Sequence, residues 1–194
     1  MSKKKLPVAI ATALLLLPSA ATTQEFPPSC NQCSSTYIPA AELEEFLEIP
    51  QVDQQVRSLD VGKTNVQVAI AHRGRLEPRS TGGVAEHSLV TEIYYVISGS
   101  GTNVTGPNLV NSVPRPPDNR AVQFLNGPGH NAEEIRNGRT VELEAGDVFV
   151  IPAGTGHQFT RIDDHITYLM IRVDPDKVVP LLDEAGAREY LNAR

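Results

Sequence analysis

Two short stretches carry the residue types that could do chemistry. "EHSLVTEIYYVISGSG", residues 86–101, sets His87 five positions before Glu92, at the mouth of a run of β-branched and aromatic residues. "GDVFVIPAGTGHQF", residues 146–159, brings His157 past a second such run. Imidazole nitrogen and carboxylate oxygen are the usual ligands of first-row divalent metals. Two histidines with one carboxylate leave coordination positions open, as in non-haem iron oxygenases. Each residue alone has a plainer reading, Glu92 as a surface carboxylate and the histidines as groups held by backbone partners. The three together point to a metal.

The elements that would position them are mostly strands. "TNVQVAIAHRG" alternates, with Val66, Val68, Ile70 and His72 on one face and Gln67, Ala69 and Ala71 on the other. "TEIYYVIS", "AVQFL", "TVELEAGDVFVIP" and "ITYLMIRV" read as further strands between Gly, Pro and Asn turns. Asn137-Gly138 predicts a hairpin between the strands on either side of it. "IPAAELEEFLEIP" predicts a short helix from about Ala40 to Glu48, with Leu43, Phe46 and Leu47 on one face. The C-terminal segment from Asp174 onward has the composition of one or two terminal helices. Many short strands with intervening turns predict a sandwich or barrel.

At 194 residues without an internal repeat, the chain has the size of one domain. "MSKKK" followed by the apolar run Leu6–Leu17 and "PSAAT" reads as a secretory signal peptide over residues 1–21, with cleavage after Ala21 and a secreted or periplasmic destination. The rival reading, a membrane anchor, needs roughly 20 apolar residues, and Pro7 and Pro18 bracket a shorter run. Loss of Lys3, Lys4 and Lys5 takes the formal charge from −6 to −9. So acidic a chain has no electrostatic footprint for nucleic acid or, after cleavage, for a membrane. Residues 22–37 form a polar tether containing "CNQC", and residues 38–194 remain for the folded domain. In an oxidising compartment Cys30 and Cys33 are expected to join in a small disulfide loop. A redox pair would want a βαβ context, and a zinc site would want two further ligands nearby.

"HSLVTEIYYVISG", with His87, Glu92 and Gly99, fits the second half of the first cupin motif, and "GDVFVIPAGTGH", with Gly146, Pro152, Gly154 and His157, resembles the second. The ordered pair resembles the cupin superfamily across roughly Val56–Val173. The resemblance implies an all-β jelly-roll barrel holding a divalent ion, Fe, Mn, Zn or Ni, on His87, Glu92 and His157. It also implies a small-molecule ligand and a chain that can pair as a homodimer. Two functions follow: a metal-dependent oxygenase or isomerase, or a non-catalytic barrel binding a sugar or carboxylate. The stretch between the motifs is long for the family, so "GPNLVNSVPRPPDNR" and "NGPGHNAEE" read as decorating loops that shape a substrate site.

One position departs from the pattern. The first motif usually begins His-x-His, and here Ala85 stands where the first histidine belongs. Glu86 cannot replace it, because adjacent strand residues face opposite ways. His72 is the candidate fourth ligand, its alternative being a core histidine bonded to backbone. Tyr94 shares a face with Glu92, to orient a ligand or donate a proton, or simply to fill core. Arg73 either anchors a carboxylate substrate or is solvated. His130 and His165 read as surface residues. Metal affinity is expected to fall below about pH 6.5, where an ordinary histidine protonates.

Overall fold

The computed structural model describes residues 26–31, 33–79 and 81–193. The signal-peptide reading, residues 1–21, lies outside the described residues. Among those described, no helix is long and apolar enough to cross a membrane.

The chain runs α1 (Ala40–Leu47), β1 (Asp53–Asp60), β2 (Asn65–Arg73), β3 (Val84–His87), β4 (Thr91–Gly106), β5 (Leu109–Val110) and β6 (Val113–Pro114). A single wide helical turn (Ala121–Leu125) leads into β7 (Gly129–Ala132), β8 (Glu134–Ile135), β9 (Arg139–Glu144), β10 (Val148–Ile151), β11 (Gly156–Arg161), β12 (Ile166–Asp174) and α2 (Glu184–Asn192). All pairings among the described residues are antiparallel, and the sheet curls on itself into a half-barrel.

The long strand β4 makes the curl. Its first half pairs with β12 and β10, and its second half with β11 and β9. Between the halves the β4–β12 register slips by one residue. Inward-facing residues are therefore even-numbered before the slip (Glu92, Tyr94, Val96) and odd-numbered after it (Gly101, Asn103). Gly99 sits at this bend with φ +73°, and a Cβ there would lie 2.0 Å from the His165 carbonyl oxygen. Only glycine fits both constraints.

Apolar residues pack on both sides of the sheet. Inside lie Ala69, Ala71, Tyr94, Val96, Phe159, Tyr168 and Met170. Outside, Phe46, Ile49, Val56, Ile70 and Ala187 form a second core under α1 and α2. That second core corrects the reading of β2. Its inward face is Gln67, Ala69, Ala71 and Arg73, and the face with Val66, Val68 and Ile70 looks outward, where Ile70 packs into the core under the helices. The more apolar face was the wrong guide, because the helices cover the sheet's outer surface.

A buried ion pair fixes α1: Arg57 donates to both Glu42 oxygens, at 2.7 and 3.1 Å, with both side chains essentially inaccessible. A bulge at Val56 turns Val56 and Arg57 together toward the helix.

Three element predictions need correction. "AVQFL" is a helical turn rather than a strand, started by Asn119 Oδ1 accepting from the Ala121 amide at 2.9 Å and closed by Asn126 N–H to Ala121 O at 2.9 Å. Asn137, at φ +55°, does turn the chain, but β8 pairs with β5 and β9 with β4, so no hairpin forms there. The decorating loops carry strands β5 to β8 of their own. One C-terminal helix is present, and Cys30 and Cys33 are joined in a disulfide with Cα atoms 5.7 Å apart.

Gly99→Ala should cost about 2 kcal/mol or more in urea unfolding, from a strained φ and a clash with backbone. Gly74→Ala, where a Cβ meets nothing within 4 Å, should stay within about 0.5 kcal/mol of wild type.

Candidate metal centre

His87 ends β3, Glu92 stands near the start of β4, and His157 near the start of β11. β11 lies between β3 and β4 and pairs with both, which brings the two motifs face to face. The Gly154 amide also donates to the His87 carbonyl at 2.8 Å, and Ala153 N–H to Thr91 Oγ1 at 3.1 Å. The donor atoms of His87, Glu92 and His157 all lie within 4.8 Å of one another, and all three side chains are buried. His87 Nε2 is 3.5 Å from Glu92 Oε1, and His157 Nε2 is 3.6 Å from Glu92 Oε2.

Glu92 is held from behind. Arg172, directly across on β12, donates from Nε to Glu92 Oε1 at 2.9 Å and from Nη1 to Gln55 Oε1 at 2.8 Å, while Nη2 pairs with Asp53 Oδ2. Tyr94 donates its hydroxyl to Glu92 Oε2 at 2.8 Å. Burial alone would raise the Glu92 pKa, but His87, Arg172 and His157 outweigh it and hold the carboxyl well below its ordinary value of 4.5. Burial, then the Glu92 charge, push the Tyr94 hydroxyl well above 10, so it remains a donor.

The two histidines differ in a way that bears on a metal. His157 Nδ1 lies 3.3 Å from the Thr155 carbonyl, which can only accept, so Nδ1 carries the proton. A bare Nε2 lone pair then faces a carboxylate oxygen. A cation between these two electron-rich atoms would relieve their repulsion, and a backbone-anchored Nδ1–H is the usual support of a metal-ligating imidazole. His87 is the reverse. Arg115 Nη1, a donor only, lies 3.2 Å from its Nδ1, so the proton sits on Nε2. Asn126, 3.3 Å from that nitrogen, can turn its otherwise unpartnered Oδ1 to accept it. His157 and Glu92 thus fit a metal as they stand, and His87 fits it once its proton moves to Nδ1 and Arg115 withdraws.

The residues named from sequence divide cleanly. Tyr94 and Arg73 line the same cavity as the cluster, about 280 Å³ in volume. Arg73 donates from Nε to Tyr168 OH at 2.9 Å and lies over the Phe159 ring. His72 is a correction: it is exposed on the sheet's outer face, bonded to Thr167 Oγ1 at 2.8 Å and stacked on His165, and cannot be a fourth ligand. Ala85 lies directly across from His157 and lines the cavity, so the missing histidine leaves space there. His165 is a surface residue paired with Asp164. His130 instead pairs with the buried Glu86 at 2.8 Å. Asn103-Val104-Thr105 has the form of a glycosylation sequon, but the Asn103 side chain is fully buried and closed to a glycan.

Sequence reasoning missed Arg172, Arg115 and Asn126. Arg172 could have been found by alternation along β12. Arg115 and Asn126 come from the long inter-motif stretch, where no pattern announces them. A larger cavity, about 500 Å³, lies beyond Leu125, lined by Phe124, Leu181 and Leu182 among others. Its character is apolar and it holds no part of the cluster.

The family described as the AraC-like ligand binding domain matches residues 136–194, under a third of the chain, including His157 but neither His87 nor Glu92. None of the curated proteins matches. Among solved structures, the chain is similar to one from a study of DMSP lyases, at 23% identity over 55% of this chain and 37% of that one, with TM-score 0.32. It therefore spans little more than a third of that protein's length. A protein from Bacillus halodurans is 16% identical over 82% of this chain and 98% of its own, with TM-score 0.42. A predicted oxalate decarboxylase from Thermotoga maritima is 17% identical over 64% and 94%, with TM-score 0.32. Scores and identities this low carry no argument about activity.

Burial, then His87, lower the His157 pKa to about 4 from its ordinary 6.5. Between those values the unfolded chain takes up a proton that the folded one refuses, so stability falls as pH falls across that window. In the metal-free protein the loss from this group should total about 3 kcal/mol by pH 4, and His157→Gln should flatten that part of a urea-midpoint profile. Below 4.5 the Glu92 contribution should be lost in turn, as pH falls through its depressed folded value.

Proposed function

We propose that this chain, whose two motifs resemble those of the cupin superfamily, uses His87, Glu92 and His157 to hold a divalent metal ion and present it to a small molecule in the adjoining cavity. The observation that carries this reading is the His157 ring, whose backbone-anchored Nδ1–H leaves its Nε2 lone pair aimed at Glu92. The match to a ligand-binding domain supports small-molecule binding as the general role.

A bound ion would act as a Lewis acid with positions open to substrate or dioxygen, the equipment of an oxygenase or isomerase. The protein's own groups do the rest. Arg172 fixes the Glu92 carboxylate in its ionised form. Tyr94 keeps its proton and stands beside the same carboxylate as a hydrogen-bond donor. Met170, Tyr168 and Leu125 line the cavity with apolar surface that limits water.

A second reading, a non-catalytic barrel that binds a small polar ligand, is favoured by Ala85 in place of a ligand and by Arg115 on His87 Nδ1. For location we propose export, supported by the leader-like residues 1–21 and the Cys30–Cys33 disulfide. N-terminal sequencing of secreted protein should begin near Thr22, and material retaining Met1 would contradict it.

Anaerobic titration with Mn(II) or Fe(II) tests the centre. His87→Ala and His157→Ala should each lose most of the affinity, and Glu92→Gln should be intermediate, keeping an oxygen but bringing no charge to the ion. His72→Ala should bind as wild type. Because His157 resists protonation to about pH 4, its own loss as a ligand should come well below pH 6.5. Equal uptake by wild type and His157→Ala would remove the metal reading. A loaded protein that turns over no organic substrate or dioxygen would favour the non-catalytic one.

A further inference from the structure

We propose that the cavity seats the carboxylate of a small organic anion, gripped by Arg73 from β2 and Arg115 from the long inter-motif segment. This rests on the reading of the cavity as a small-molecule site, but not on the metal.

The argument begins with unmatched charge. Both guanidiniums line the cavity. Arg73 spends its Nε on the Tyr168 hydroxyl and stacks over Phe159. Arg115 spends Nε on Asn131 Oδ1 at 2.9 Å, Nη2 on the His130 carbonyl at 3.1 Å and Nη1 on His87. Neither has a carboxylate within ion-pair distance among the described residues.

The carboxylates in the neighbourhood are already engaged. Glu92 and Asp53 share Arg172, and Glu86 is tied to His130 and Ser88. The cavity therefore holds two half-buried guanidiniums that no carboxylate contacts directly, with Asp53, Glu86 and Glu92 acting on them only through space. A guanidinium drawn from water without a counter-charge is costly, and a bidentate carboxylate is the partner its fork fits.

The walls narrow the ligand further. Asn126 is buried and lines the cavity; one end of its amide faces His87, and the other offers a hydrogen-bonding group to a ligand. Tyr94, Tyr168 and Met170 supply apolar surface for a short carbon frame, and about 280 Å³ holds a small organic acid but no polymer. Arg115 is also the group that must leave His87 before that ring can bind an ion. A carboxylate gives it somewhere to go.

The test is calorimetric titration of the whole chain, freed of metal by chelator, with succinate and benzoate, each against its neutral amide and against inorganic phosphate. Wild type should bind at least one carboxylate more tightly than its amide and than phosphate, with affinity falling as salt rises. Arg73→Gln and Arg115→Gln should each weaken that binding about tenfold or more, while Arg115→Lys should recover part of it. Thermal melts of each variant show that the fold is kept. Equal binding of carboxylate and amide, a preference for phosphate, or undiminished binding by both arginine variants would overturn the proposal. Carboxylate uptake without any Mn(II) uptake would leave it standing and sink the metal centre. Mn(II) uptake with no carboxylate bound, in metal-free or loaded protein, would do the opposite.

Discussion

The arrangement depends on one buried guanidinium. Arg172 is fully inaccessible and reaches Glu92 on β4 and Gln55 and Asp53 on β1, so a single side chain ties three strands through groups on the sheet's inner face. Charges buried this deeply are costly unless matched, and Arg172 is matched on every arm. Its consequence for the site is positional. Glu92 is held at a fixed angle with one oxygen toward each histidine, and a residue that burial alone would neutralise stays ionised.

The barrel is asymmetric in what its two ends contribute. Strands β2, β4, β11 and β12 give a rigid floor, with small Ala69 and Ala71 making room for Tyr94 and Tyr168. The segment between the motifs gives the other wall: Arg115, Asn119, Ala121, Leu125, Asn126 and Asn131 all come from it. Its backbone is anchored by short strands and by the Arg115 amide to the Gly129 carbonyl at 2.9 Å. On the floor, Arg172, Glu92 and Asp53 are committed to one another, and Arg73 is the charged group left to face that wall.

The two histidines make the balance within the site visible. His157 is presented by a backbone carbonyl that can only accept, and its ring is fixed in the form that offers an electron pair to the cavity. His87 is presented by a guanidinium that can only donate, and its ring is fixed the other way. A change of ligand at Arg115 is therefore also a change of tautomer at His87. Ala85, across from His157, leaves the space that a further ligand would have filled.

Periodicity and motif spacing made the barrel, the short helix ahead of it and the grouping of His87, Glu92 and His157 legible from the amino-acid sequence alone. These are local properties: alternation specifies strands, and a fixed spacing along paired strands specifies a shared face. Tertiary structure decided the rest. His72 follows the same alternation as Ile70, yet which face of β2 is inside depended on α1 and α2 covering the other one. Asn137-Gly138 turns the chain as its type requires, but the strands beside it found other partners. Arg115 sits among prolines with no pattern to mark it, and it reaches His87 only because β6 pairs with β7. Which group faces which across a cavity is set by contacts between residues far apart in the chain, and no local pattern encodes them.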